Sequence, residues 1–176
     1  MIDGLRLLQG VVTPTQFNRI ADWNMERNNL DLNSKLEIEM IMEEVKEYYE
    51  ADTFIDRLDA VADIIFVAVG TYTKATKNFH LVQDNYLAPL EMVLTDFVGR
   101  YEVEGINVEI TAVITEVLNI VIDANERKGT DKDENGKIIK PDDFISPEDT
   151  ISDYIDYLRT FEEDGKEDVD AMLEAS

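Results

Sequence analysis

Leu58-Asp-Ala-Val-Ala-Asp-Ile-Ile-Phe-Val-Ala-Val-Gly70 is the stretch that decides the fold, because it is apolar on every helical face except at Asp59 and Asp63. A helix that is apolar all round is one that is buried in a protein core. The stretch lacks the strict alternation of a half-exposed strand. It therefore predicts a buried helix, within a longer helical span from Phe54 to about Lys77.

Helical spacing of apolar residues continues on both sides of this segment. Thr13 before Pro14, and Asn33 or Ser34, are typical helix starts. Together with the later pattern they predict five further helices, over about 14–27, 34–51, 81–101, 108–126 and 148–162. We therefore predict an all-α antiparallel helical bundle, a single domain over 1–176. Its loop-rich segment covers 125–147, where Gly and Pro are frequent.

Composition excludes several classes of protein. The chain has 176 residues, with 39 acidic against 16 basic side chains, a net charge of −23 and no Cys. Such a charge disfavours binding to nucleic-acid phosphates or to an anionic membrane surface. The lack of Cys removes disulfides and zinc–thiolate sites and fits a reducing compartment. No signal peptide or membrane span is recognisable. We expect a cytoplasmic protein with no nucleic-acid and no membrane partner.

Some acidic residues fall where solvation does not explain them. At 100° per residue, Asp56, Asp59 and Asp63 lie within about 60° of one another on the buried helix. Glu44 and Glu47 lie beside the apolar stripe of the preceding helix, which a short loop makes an antiparallel neighbour. Buried ionised carboxylates are costly without a partner, and a hard divalent cation, Mg²⁺ or Mn²⁺, satisfies them. A solvated glutamate face and a protonated core Asp63 remain alternative interpretations.

Two motifs resemble those of a known superfamily. The first is Glu43-Glu44-x-x-Glu47 followed by Asp59-Ala-Val-Ala-Asp63. The second comprises Asn125-x-x-Lys128, Gly136-Lys137-x-x-Lys140-Pro141 and the closing Pro147-Glu-Asp149. In this order they resemble the all-α NTP pyrophosphohydrolases, the superfamily of MazG, dimeric dUTPases and phosphoribosyl-ATP pyrophosphohydrolase-like proteins. The resemblance covers roughly 36–71 and 122–149, and residues 79–107 have no counterpart in it.

The resemblance implies a MazG-like bundle that cleaves a (deoxy)nucleoside triphosphate to the monophosphate and pyrophosphate. Water activated by the metal would attack the α-phosphate, and the protein would be a homodimer or homotetramer. By this resemblance Glu43 is the candidate general base and Glu44, Glu47 and Asp63 are metal ligands. The family usually has Glu at the position of Ala60, so Asp59 is the expected substitute ligand. The same comparison implies a substrate-binding group of Asn125, Lys128, Lys137 and Lys140.

Two other functions fit the sequence. The acidity suits a non-catalytic acidic helical interaction protein, which would show a diffuse acidic surface. Residues 131–142 also resemble an EF-hand loop, with Asp131, Asp133, Asn135 and Gly136 at suitable positions for a calcium-binding module. Against calcium, the twelfth position is Asp142 instead of Glu, and a polar turn at Asn135-Gly136 is the simpler interpretation.

Overall fold

The computed structural model describes residues 10–77 and 87–160, and this part of the chain folds into helices. The main ones are α1 (Pro14–Glu26), α2 (Ser34–Glu50), α3 (Phe54–Lys77), α4 (Ala88–Tyr101), α5 (Ile110–Glu126) and α6 (148–160). These residues contain no strand, only an isolated bridge between Lys132 and Ile138. The all-α prediction is therefore confirmed. The predicted fourth and sixth helices extend to 81–86 and 161–162, which lie outside the described residues.

Helix α3 is the centre of the molecule and packs against α1, α2, α4 and α5. Leu58, Ile64 and Ile65 are completely buried within it. Its sequence explains this position, since a helix with apolar residues on all sides loses least when neighbours surround it. No helix in residues 10–77 or 87–160 has the length and hydropathy of a membrane span.

The starts of α1 and α2 follow the capping signals of the sequence. The Thr13 hydroxyl accepts a hydrogen bond from the Gln16 amide, and the Gln16 side chain accepts one in return from the Thr13 amide. Asn33 caps α2 in the same way through the Leu36 amide. These bonds satisfy amide groups that have no partner within the helix. They fix where α1 and α2 begin.

A connection of three residues makes α2 and α3 antiparallel neighbours, as expected. At its end, the Asp56 carboxylate accepts a hydrogen bond from the Thr53 amide, and the Asp56 amide donates to the Thr53 hydroxyl. Asp56 is exposed. Although Asp56 shares a helical stripe with Asp59 and Asp63, its carboxylate is therefore used to cap α3.

The loop-rich segment after α5 returns to the bundle through a tight turn. The Asp133 carboxylate accepts hydrogen bonds from the amides of Asn135 (2.9 Å) and Lys137 (2.8 Å). Gly136 has a φ of +87°, a conformation that favours glycine. The turn directs Lys137 toward α2, where its side chain reaches Glu43.

Candidate functional site

A cavity of about 410 Å³ lies between α1, α2, α3 and the loop after α5. This volume is within the range of small-molecule sites. Its wall includes eight of the nine residues that the sequence singled out, namely Glu43, Glu44, Glu47, Asp63, Asn125, Lys128, Lys137 and Lys140. Asp59 does not line it. Residues from three distant parts of the chain thus share one concave surface.

The acidic wall of the cavity combines exposed and buried carboxylates. Glu43 and Glu47 are exposed, whereas Glu44 and Asp63 are half-buried. Burial, followed by the negative charges of Asp63 and Glu47, raises the pKa of Glu44 far above its ordinary value. Burial also raises the pKa of Asp63, although Lys128 opposes it. Ionised forms of these groups therefore require a positive partner.

Asp59 lies beside this wall and is influenced by a residue that the sequence did not single out. The pKa of Asp59 is raised mainly by burial, and next by the negative charges of Asp63 and Glu148. Glu148 is in the first turn of α6. The signal that could have identified it is its place directly after Pro147, in the closing segment of the second motif.

A divalent cation is chemically compatible with these acids. Glu44 Oε2 and Asp59 Oδ1 are buried and have no hydrogen-bond partner among the described residues. Carboxylate oxygens are the donors that Mg²⁺ and Mn²⁺ prefer. Within residues 10–77 and 87–160, no three acidic or histidine side chains already converge on one point. Side-chain rotation would therefore have to accompany binding of an ion.

The cavity also has a basic wall, formed by Lys128, Lys137 and Lys140. Lys137 Nζ lies 2.7 Å from Glu43 Oε2, and each side chain is 49% exposed, so the pair faces solvent at the cavity mouth. Lys128 is deeper and donates a 2.7 Å hydrogen bond to Asn125 Oδ1. Burial lowers the pKa of Lys128, against the effect of Asp63. The cavity therefore has cations and acids next to one another on its lining.

Phe144 organises two of these lysines. The Nζ atoms of Lys128 and Lys140 lie 5.3 Å and 5.2 Å from the centroid of its ring. An ammonium group near an aromatic face is attracted by the ring quadrupole. This contact limits the positions that the two side chains adopt, and the sequence pattern alone did not indicate it.

Residues at the end of helix α1 hold the backbone around Lys128 in place. The Arg27 guanidinium donates to the carbonyl oxygens of Glu126 (3.1 Å), Lys128 (2.6 Å) and Gly129 (3.1 Å). Trp23 Nε1 donates to the Asn125 carbonyl at 2.8 Å. We call Trp23 of α1 and Arg27, the residue that directly follows the helix, the α1 clamp. Arg27 was missed by sequence reasoning, because nothing local marks a partner about a hundred residues away.

Beyond the acidic residues, the cavity continues into an apolar section. Met40, Phe66 and Val67 line this section, together with Trp23. The rings of Trp23 and Phe66 meet edge to face, with centroids 5.2 Å apart. The cavity therefore combines charged groups with an apolar section suited to an apolar or aromatic group.

The segment proposed as a calcium loop forms a compact polar turn. The bonds from Asp133 to the amides of Asn135 and Lys137 use one of its carboxylate oxygens, and Asp131 and Asp142 are exposed. The geometry agrees with the simpler interpretation at Asn135-Gly136. Calcium binding by residues 131–142 stays a prediction.

No protein-family model, curated protein or solved structure matches this chain. The function must therefore be argued from the site itself.

Proposed function

We propose that this protein is a metal-dependent nucleoside triphosphate pyrophosphohydrolase of the MazG-like all-α type. It would convert a (deoxy)nucleoside triphosphate and water to the monophosphate and pyrophosphate. One observation carries the proposal: an acidic set and a basic set, taken from motifs more than fifty residues apart, line one cavity side by side. A diffuse acidic surface, as an acidic interaction protein would have, does not produce this convergence.

The acidic wall would hold Mg²⁺, or Mn²⁺ in its place, through Glu44, Glu47 and Asp63, with Asp59 adjacent. The buried, unpartnered oxygens of Glu44 and Asp59 support this assignment among the described residues. When bound, such an ion neutralises phosphate charge and makes water a better nucleophile.

The chain's own residues supply positioning and proton transfer. Lys128, Lys137 and Lys140 would bind the phosphate oxygens, because phosphoryl transfer depends mainly on positioning and charge stabilisation. Lys137 is paired with Glu43 in this structure. A bound polyphosphate would compete for Lys137, and Glu43 would then be free to accept the proton of the attacking water. Asn125 would hold Lys128 in place through its side-chain oxygen.

The assay that tests this function combines each dNTP and NTP with the protein and Mg²⁺ or Mn²⁺, and quantifies monophosphate and pyrophosphate. We expect the two products in equal amounts. Glu47→Gln and Asp63→Asn should each lower kcat by at least about a hundredfold, while circular dichroism stays unchanged. Glu39→Gln, an exposed change on the same helix, is the matched control and should keep wild-type activity.

Absence of pyrophosphate from every nucleotide under both metals would refute the proposal. Full activity of either ligand variant would refute the ligand assignment alone. Assembly into a homodimer or homotetramer rests on the family resemblance, and light scattering in solution tests it.

A further inference from the structure

Past the apolar section, the cavity wall contains a buried ion pair that the proposed chemistry does not use. Lys74 Nζ lies 2.7 Å from Glu37 Oε1, and the two side chains are 3% and 1% exposed. The Thr71 hydroxyl donates to the other Glu37 oxygen at 2.8 Å. Glu37 and Lys74 both line the cavity. A buried acid–base pair therefore lies at the cavity wall, next to the apolar residues Met40, Phe66 and Val67.

Stability alone gives little reason for such a pair. Removing two charges from water offsets most of their mutual attraction, and apolar side chains of similar volume often stabilise a fold as well or better. Ligand cavities, by contrast, are mostly apolar with a few fixed polar groups that orient the ligand. The pair is held rigidly by Thr71 and by its own short contact, which suits recognition.

The position of the pair relative to the acidic wall suits a nucleotide. Glu37 precedes Glu44 by seven residues on α2, which is about 10 Å along a helix axis. Met40, Phe66 and Val67 line the cavity between the two ends. With phosphates beside Glu44, a base would lie against these apolar groups, and its polar edge would meet Glu37 and Lys74.

We propose that Glu37 and Lys74 read the edge of the base and select 6-oxopurine nucleotides, guanine above all. This inference rests on the proposed function, whose substrate class it narrows. Guanine presents two adjacent N–H donors, at N1 and N2, beside the acceptor O6. The Glu37 carboxylate accepts hydrogen bonds only, and the Lys74 ammonium donates them only, so the two complement that edge.

Other bases complement the pair less well. Hypoxanthine keeps N1–H and O6 and has only a C–H group in place of the N2 amino group. Thymine also has one N–H donor, but its O2 acceptor takes the place of that amino group and would face the Glu37 carboxylate. Adenine and cytosine present a ring nitrogen acceptor next to their amino group, and an ionised carboxylate repels it. The expected order of preference is therefore guanine, then hypoxanthine, then the remaining bases.

The experiment compares kcat/KM for dGTP, dITP, dATP, dCTP and dTTP with Mg²⁺, by pyrophosphate release. We expect wild type to favour dGTP over dATP, dCTP and dTTP by roughly tenfold or more, the size of effect that charge-assisted hydrogen bonds produce. Glu37→Gln should lower kcat/KM for dGTP much more than for the other nucleotides and so abolish that preference. Glu39→Gln, exposed on the same helix, is the matched control and should retain the preference.

A second variant is needed because Glu37→Gln leaves Lys74 without its buried counter-charge and could misfold. The double variant Glu37→Gln/Lys74→Met removes both charges and should fold, as thermal unfolding will show. It too should lose the dGTP preference. Equal kcat/KM for all five nucleotides in wild type, or an equal loss for all of them in the folded variants, would overturn the proposal.

Calorimetric titration with dGMP and dAMP separates this proposal from the proposed function, because it requires no hydrolysis. We expect dGMP to bind wild type more tightly than dAMP, and the difference to vanish in the double variant. If no nucleotide is hydrolysed, the proposed function fails, yet Glu37-dependent dGMP binding would still support the base assignment. Equal binding of dGMP and dAMP to wild type would refute it.

Discussion

At the scale of single residues, three carboxyl groups of the site are held partly out of water. Burial raises the pKa of Glu44, of Asp59 and of Asp63 above the ordinary value, and neighbouring negative charges add to the rise for Glu44 and Asp59. Ionisation of these groups costs free energy, because burial removes the water that would solvate the carboxylates. A cation that neutralises them relieves this cost.

These pKa values predict how stability depends on pH in metal-free protein. The folded pKa of each group lies above its unfolded value of about 4, so the folded state retains protons that the unfolded state has lost. The free energy of unfolding should therefore fall as pH rises from about 4 into the neutral range. Thermal unfolding in EDTA at pH 5 and pH 8, at constant ionic strength, measures this.

Variants separate this effect from general charge repulsion. Glu44→Gln and Asp59→Asn should flatten the fall in Tm between the two pH values, while the exposed Glu39→Gln should not. Mg²⁺ should raise the wild-type Tm more at pH 8 than at pH 5, because ionised ligands bind it better. If Tm falls between pH 5 and pH 8 by the same amount in both site variants as in wild type, the raised pKa values are not the cause of the pH dependence.

At the scale of elements, the relation between α1 and α5 sets the position of the basic wall. Through the α1 clamp, Arg27 binds three carbonyl groups at and after the end of α5, and its guanidinium lies 4.6 Å from the Trp23 ring centroid. On the outer side, Arg19 of the same helix pairs with Asp123 and Glu126 of α5 at 2.6 and 2.7 Å. Arg27 is buried, whereas the side chain of Arg19 is 30% exposed.

This difference predicts unequal effects of the same substitution. Arg27→Gln should lower the free energy of unfolding by about 1.5–3 kcal/mol, since charge-assisted bonds to carbonyl groups are lost in a buried site. Arg19→Gln should cost less than about 1 kcal/mol, because exposed ion pairs contribute little. Urea unfolding gives both values.

The clamp also has a consequence for activity. Because Arg27 fixes the backbone at Lys128, Arg27→Gln should raise KM for the nucleotide more than tenfold at a temperature where the variant is folded. Arg19→Gln should leave KM unchanged. Equal KM values for the two variants would show that the clamp is structural only.

At the scale of the whole molecule, the helices were predictable and most of the contacts between them were not. The α3 bounds follow directly from the apolar run at Leu58–Gly70 and the flanking residues. The starts of α1 and α2, at the capping residues Thr13 and Asn33, were equally predictable. Helix propensity, capping and periodicity are all local properties of the sequence. The family resemblance, and not helical spacing, predicted that the acidic and basic sets belong to one site, and eight of those residues line the cavity.

Long-range partners could not be predicted in the same way. The pairing of Lys137 with Glu43, and of Glu37 with Lys74, depends on how α2 meets the loop and α3. A spacing rule for one helix carries no information about such contacts. The role of Asp56 could not be predicted either. Its carboxylate caps α3 and does not join the acidic residues of the cavity, because it accepts a hydrogen bond from the Thr53 amide, and its own amide donates to the Thr53 hydroxyl.

Hydrolysis in H₂¹⁸O with Mg²⁺ tests the central claim most directly, because it reports which phosphorus atom is attacked. We predict that mass spectrometry will find one ¹⁸O atom in the nucleoside monophosphate and none in pyrophosphate, with dGTP as substrate and Asp63→Asn as the inactive control. Label in pyrophosphate, release of inorganic phosphate instead, or no hydrolysis of any nucleoside triphosphate would contradict the account.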